Sequence, residues 1–200
     1  EYVDQYIGKG ANGAAIVYIH HGEIIFSKGY GYGDVSNKIP VDPDKTVFEY
    51  ASISKTFTWT AIMQLVEEGK IDLDEDIKTY LPAGFYEKFQ KKLSFDQSIS
   101  VMDLMNHRAG FEDFYFYGDY TKEKYLSDDL GTSLIKAMPK QIYEPNTVTA
   151  YSNFSTDLAG YIVECVTKEK LYNYLQEKIF TPVGMDSTSA NPRYDELDYI

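Results

Sequence analysis

The sequence predicts an α/β protein of the α+β kind, with an N-terminal antiparallel strand pair followed by a mostly helical region. Three features point there. Two apolar, β-branched and aromatic runs, Ala14 to Ile19 and Glu23 to Tyr30, flank His20-His21-Gly22, which reads as a hairpin. After residue 50 the apolar positions switch to helical spacing and strand signals become scarce. No internal repeat, low-complexity tract or linker divides the chain, so strands and helices read as one unit.

Taken in order, a polar, Pro-punctuated stretch from Asn37 to Asp44 separates the hairpin from Val47-Phe48-Glu49-Tyr50, which leads into a helix beginning near Ser52. Phe57, Ala61, Ile62, Leu65 and Val66 share one face of that helix, and Gly69 supplies its stop signal. Further helical runs are expected over Val101 to His107, Ser133 to Met138, Ser155 to Thr167 and Leu171 to Phe180, joined by long loops. Two strands alone make a marginal sheet, so more strands are expected to complete it.

Composition narrows the function. With 200 residues, 44% of them hydrophobic, the chain can close a core. A net charge of -12 argues against nucleic-acid or anionic-membrane binding, which needs clustered Lys and Arg, and favours small-molecule or peptide partners. No stretch reaches the roughly 18 apolar residues of a membrane span, and the first residues lack the basic-then-apolar pattern of a secretory signal. The chain opens at Glu1 rather than Met, which leaves room for a removed signal or anchor. Cys165 is the lone cysteine, so no intrachain disulfide forms, and its apolar surroundings in sequence predict a small buried thiol.

Ser-x-x-Lys occurs twice, at Ser52-Ile53-Ser54-Lys55 and at Ser133-Leu134-Ile135-Lys136. Residues three apart on a helix share a face, so either Lys can reach its Ser. Only Ser52 lies at a strand-to-helix junction, where free backbone N–H groups and the helix dipole can stabilise an oxyanion. Taken alone, Ser52 reads first as a helix cap, and it is the features that follow which turn the reading toward a nucleophile. Ser133, amid Leu130, Leu134, Ile135 and Met138, reads as the start of an ordinary amphipathic helix. Tyr151-Ser152-Asn153 follows the turn Glu144-Pro145-Asn146 and precedes a helical run, where a phenol can relay a proton and an amide can hold a carbonyl and a Lys.

The run Phe48-Glu49-Tyr50-Ala51-Ser52-Ile53-Ser54-Lys55-Thr56-Phe57-Thr58 resembles the nucleophile segment of class C β-lactamases and related low-molecular-mass penicillin-binding proteins and esterases. Gly29-Tyr30-Gly31-Tyr32-Gly33, the stretch Gln64 to Asp74, and Tyr80-Leu81-Pro82 resemble further parts of that family in the right order. So do Leu104-Met105-Asn106-His107-Arg108-Ala109-Gly110-Phe111, Tyr151-Ser152-Asn153 and Ile179-Phe180-Thr181-Pro182-Val183-Gly184-Met185. The resemblance spans nearly all of the chain. It implies a β-lactamase-like fold in which residues 1–200 form the N-terminal part of a single domain: 1–50 as strands of a larger sheet, 51–200 as the nucleophile helix and helical region. The family's third motif, Lys-Thr-Gly or His-x-Gly on a later strand, does not follow Tyr151, so C-terminal strands are expected to be missing from this chain and the chain alone to be inactive.

Carried over by position, the resemblance makes Ser52 the nucleophile, Lys55 a proton-sharing base, Tyr151 the group that activates water and protonates the leaving group, and Asn153 a holder of substrate and Lys55. It implies acyl transfer from β-lactam, D-amino-acid peptide or ester substrates, no metal or organic cofactor, and an extracellular or cell-envelope location. A catalytically silent binding or sensor module is the rival reading. A Ser-His-Asp triad through His107 with Asp103 or Asp113 is the lesser one, since no Gly-x-Ser-x-Gly elbow exists. His20 and His21 lack a third ligand at metal spacing, and the acidic run Asp72 to Asp76 reads as a solvated turn. The aromatic segment Phe111 to Tyr125 either walls a substrate cleft or packs on the helices.

Overall fold

The structure is a computed structural model that describes residues 2–113 and 129–190. The described chain divides into two compact units between Tyr50 and Ala51.

The first unit is built on strands β1 (Gly13–His20), β2 (Glu23–Asp34) and the two-residue β3 (Ile39–Pro40), in the antiparallel order β1-β2-β3. The expected hairpin is present. His21 and Gly22 both have positive φ, 51° and 81°, the mirror-image turn whose twist matches that of the strands it joins. The strands pair from Gly13↔Gly31 to His20↔Glu23, with an irregularity between Tyr18 and Ile19. The alternation does not announce β3, because a two-residue edge strand ending in Pro carries no periodic signal. Gly29 explains how the chain after it can lie so close: a Cβ there would sit 2.0 Å from the Val41 carbonyl oxygen. Ile16, Val17 and Tyr18 alternate along β1, and all three are exposed, as are Ile24, Ile25 and Phe26 on β2.

The second unit is helical. It contains α1 (Lys55–Glu67), α2 (Ala83–Gln90), α3 (Val101–Met105), α4 (Leu130–Ala137), α5 (Asn153–Thr167) and α6 (Leu171–Leu175), which continues as a π turn, Gln176–Phe180. Helix α1 stops as its sequence predicts: Gly69 has φ 68°, its N–H donates to Val66 O, and the Lys70 N–H donates to Leu65 O, which satisfies two end carbonyls. Helix α2 is unannounced in the sequence because Phe85 and Phe89 are its only buried positions. Helices α4 and α5 start earlier than their apolar pattern suggests, since Asp129 and Ser152 cap them by accepting from the N–H groups of Thr132 and Ser155. The acidic run is spent on turns, with Asp72 accepting from the Asp74 N–H and Asp76 from the Lys78 N–H.

Helix α1 packs on α5, and the core between and around them includes Ile62, Leu65, Phe89, Leu104, Phe111, Leu158, Ile162 and Phe180, all essentially inaccessible to water. Each such side chain contributes about 1.5 to 3 kcal/mol by leaving water. Rings interlock at the edges of this core, Phe57 on Phe180 at 4.9 Å and Phe111 on Phe154 at 4.9 Å. Cys165 is half-buried on α5 rather than enclosed, and burial pushes its thiol pKa up. Of the aromatic segment, Phe111 is core, and residues 114–125 lie outside the described residues. Among the described residues no helix is long and apolar enough to cross a membrane.

Candidate active site

The packing of α1 on α5 brings two helix N-termini together, and the candidate residues sit on them. Ser52 lies in a 3-10 turn, Ala51–Ser54, and Lys55 is the first residue of α1. In a 3-10 turn side chains three apart eclipse, so the spacing places Lys55 directly beside Ser52. The Lys55 Nζ donates to Ser52 Oγ at 3.2 Å. Ala51, just before Ser52, has φ 46°, a left-handed conformation that costs a non-glycine residue about 1 kcal/mol or more and is typical of functional turns. Ser52 does not cap α1: the N-cap position is Ser54, and its side chain makes no capping bond.

Across from this turn, Ser152 is the N-cap of α5, which leaves Tyr151 just outside the helix and Asn153 as its first residue. The Tyr151 hydroxyl donates to Ser52 Oγ at 2.8 Å across 99 residues of sequence. Asn153 Oδ1 accepts from Lys55 Nζ at 2.5 Å, and the same ammonium lies 5.0 Å from the centre of the Tyr151 ring. All four side chains singled out in the sequence, Ser52, Lys55, Tyr151 and Asn153, are therefore joined in one hydrogen-bonded cluster. Burial raises the Tyr151 phenol pKa, but hydrogen bonding with Lys55 and Ser52 and the charge of Lys55 outweigh it, so the net shift is downward.

The segment before Tyr151 is held by the loop after α3. Backbone N–H groups of Asn146 and Ala150 donate to Arg108 O and His107 O at 2.8 Å each, and the Ile142 N–H donates to Gly110 O at 2.8 Å. The Arg108 guanidinium donates to Asn146 O. Gly110, at φ 85°, permits this pairing, since a Cβ there would lie 1.9 Å from the Tyr143 carbonyl oxygen.

The same loop supplies two side chains whose part sequence reasoning missed. His107 Nδ1 accepts from the Ser152 N–H at 3.2 Å, and its ring lies 4.6 Å from that of Tyr151. An accepting Nδ1 means a neutral imidazole, and burial followed by the nearby Lys55 charge lowers the His107 pKa. Asp113 accepts from the Asn153 backbone N–H and side-chain amide. Asp103 accepts from the N–H and hydroxyl of Ser100 in a capping box on α3. The bonds of Ser52 Oγ run to Lys55 and Tyr151, and those of His107 and Asp113 run to the Tyr151–Asn153 segment, which is not the connectivity of a Ser-His-Asp triad. The second Ser-x-x-Lys lies within α4, where Lys136 is exposed. Among the described residues no group of three or more His, Cys, Asp or Glu could hold a metal ion.

Comparison with known proteins bears on the family and the fold. Residues 1–198 match the family Beta-lactamase. Protein flp from Staphylococcus aureus (strain MRSA252) is 28% identical over 181 residues, which cover 88% of this chain and 34% of that protein. The octameric penicillin-binding protein homologue from Pyrococcus abyssi superposes with a TM-score of 0.76 at 26% identity, covering 92% of this chain and 42% of that one. The D-amino acid amidase from Ochrobactrum anthropi SV3, solved with D-phenylalanine, superposes with a TM-score of 0.72 at 30% identity over 90% of this chain and 47% of that one. The chain thus spans less than half the length of each of these relatives. With the match running over almost its entire length, the chain belongs to the Beta-lactamase family and has the β-lactamase-like fold.

Proposed function

We propose that this chain carries the nucleophilic centre of a serine hydrolase that works through an acyl-enzyme on Ser52. The observation that carries the reading is the position of Ser52 Oγ, 3.2 Å from Lys55 Nζ and 2.8 Å from the Tyr151 hydroxyl. A serine hydroxyl is a weak nucleophile until a neighbouring base takes its proton. In acylation the Ser52 O–H bond breaks, the proton passes to Tyr151 as phenolate or to Lys55 as free amine, and Oγ bonds the substrate carbonyl carbon. The downward shift of the Tyr151 phenol favours the phenolate form that this step uses. Collapse of the tetrahedral intermediate breaks the bond to the leaving amine or alkoxide, which takes the proton back. Water then repeats the sequence on the Ser52 ester, releasing the acid and restoring the hydroxyl.

Asn153 Oδ1 accepts from Lys55 Nζ at 2.5 Å, which supports its role in holding Lys55, and the family resemblance gives its amide a part in holding substrate. Backbone N–H groups at the start of the 3-10 turn have no acceptor within the turn and supply part of an oxyanion site. The acyl donor is a β-lactam, a D-amino-acid peptide or an ester; likeness to a D-amino acid amidase and to a penicillin-binding protein homologue supports this class. Such substrates fit work at the cell envelope or outside the cell.

Mass spectrometry of the full-length protein after a fluorophosphonate or penicillin probe tests the reading. An adduct on Ser52, lost in Ser52→Ala and kept in Ser133→Ala, is the expected result. An adduct on Ser133, or none on the folded protein, overturns it, and none would favour the binding or sensor module.

A further inference from the structure

We propose that Asp113 is a positioning residue for the acyl-transfer centre, fixing the Asn153 side chain so that its carbonyl oxygen faces Lys55. The inference rests on the acyl-transfer reading of Ser52 and Lys55. A carboxamide has two nearly superimposable orientations, one with Oδ1 and one with Nδ2 toward a given neighbour, and only its partners distinguish them. Here one side of the amide meets the Lys55 ammonium, which donates only, with Nζ 2.5 Å from Oδ1. The other side meets the Asp113 carboxylate, which when ionised accepts only, and both carboxylate oxygens lie within reach of Nδ2, at 3.2 and 3.1 Å. The flipped amide would set Oδ1 against the carboxylate and Nδ2 against the ammonium, making both contacts repulsive. Asp113 and Lys55 therefore choose one orientation together.

The carboxylate is itself held. Asp113 Oδ1 also accepts the Asn153 backbone N–H at 3.1 Å, one of the first-turn N–H groups that α5 cannot satisfy internally and a place where the helix dipole favours negative charge. Two residues earlier, Phe111 is fully buried, with its ring 4.9 Å from Phe154 and 6.1 Å from Phe89. The intervening Glu112 N–H donates to Lys140 O at 3.0 Å. A packed ring and a backbone hydrogen bond thus lock the short segment that aims Asp113, and the order Asp113, Asn153, Lys55, Ser52 forms one polar chain ending at the nucleophile.

The test is a double-mutant cycle on the full-length protein, read as the second-order rate of Ser52 labelling by a fluorophosphonate. Asp113→Asn keeps the shape but offers a donor as well as an acceptor, so the constraint from the Asp113 side is lost and Lys55 alone is left to select the Asn153 orientation. It should slow labelling by about 10- to 100-fold, the scale of a displaced reacting group. Asn153→Ala should slow labelling as well, and the double variant should be no slower than Asn153→Ala alone, because Asp113 acts only through Asn153. Asp113→Ala repeats the cycle should Asp113→Asn lose its fold, with thermal melts checking each protein. Wild-type labelling in Asp113→Asn, or losses that multiply in the double variant, would overturn the proposal while leaving the acyl-transfer reading standing. Absence of any Ser52 label on the wild-type protein would instead overturn that reading, and the positioning role with it.

Discussion

Tyr151→Phe separates proton chemistry from packing more cleanly than any other single change at this site. The substitution removes one oxygen, which lies 2.8 Å from Ser52 Oγ, and leaves the ring that packs tilted against His107 at 4.6 Å and sits 5.0 Å from Lys55 Nζ. Tyr151 is 44% exposed, so water replaces the lost hydrogen bond, and the cost to stability should stay below about 1 kcal/mol. The cost to chemistry is much larger. A positioned general acid–base group contributes about 10²- to 10⁴-fold, which at about 1.36 kcal/mol per decade is roughly 2.7 to 5.4 kcal/mol of transition-state stabilisation. The pH profile adds a second signature. Because Lys55 and Ser52 outweigh burial and lower the phenol pKa, wild-type acylation should rise along an alkaline limb that begins below the ordinary tyrosine value of about 10, and Tyr151→Phe should lack that limb. Initial rates of nitrocefin or ester hydrolysis by the full-length protein between pH 6 and pH 10, alongside thermal melts, measure both. A folded Tyr151→Phe protein with wild-type rates across that range would remove Tyr151 from the mechanism and leave its contact with Ser52 a structural one.

Three further outcomes follow from the same geometry. Ser52→Ala should abolish covalent labelling while shifting stability by no more than about 0.5 kcal/mol, because Ser52 does not cap α1; a large drop in melting temperature would contradict this. His107 bears on stability in acid: its pKa is depressed by burial first and by Lys55 second, so the unfolded chain binds its proton more readily. The stability it confers is complete above about pH 6.5 and is lost as pH falls through the depressed value, and His107→Gln should flatten that part of the profile in urea titrations at stepped pH. An unchanged slope would mean that other groups set the acid limit. Gly110→Ala places a methyl 1.9 Å from the Tyr143 carbonyl oxygen at φ 85°, and should cost at least about 2 kcal/mol while loosening the loop that carries His107 and Asp113. A variant as stable as wild type would show that the loop can move away from Tyr143 at little cost.

What the sequence determined by itself was local. The hairpin turn at His21-Gly22 was legible because its two positive φ values demand a characteristic pair of residues, and α1 was legible from its apolar face and Gly69 stop. The boundary at Tyr151-Ser152-Asn153 was legible as polar residues entering a helix, and the proximity of Lys55 to Ser52 followed from spacing alone. Family resemblance singled out Tyr151 and Asn153 as companions of Ser52, which no periodicity could have done. Tertiary structure decided the rest. It carried Tyr151 across 99 residues to Ser52, and it paired Asp113 with an amide 40 residues away; the sequence named Asp113 only as a possible triad member. It also converted His107 from a candidate base into a support for the Tyr151–Asn153 segment. The physical reason is that capping, turn geometry and amphipathic spacing are written within a few neighbouring residues. The partner of a half-buried carboxylate such as Asp113 or of the His107 imidazole is chosen by which surfaces the α1–α5 core brings together, and no short stretch of the chain encodes it.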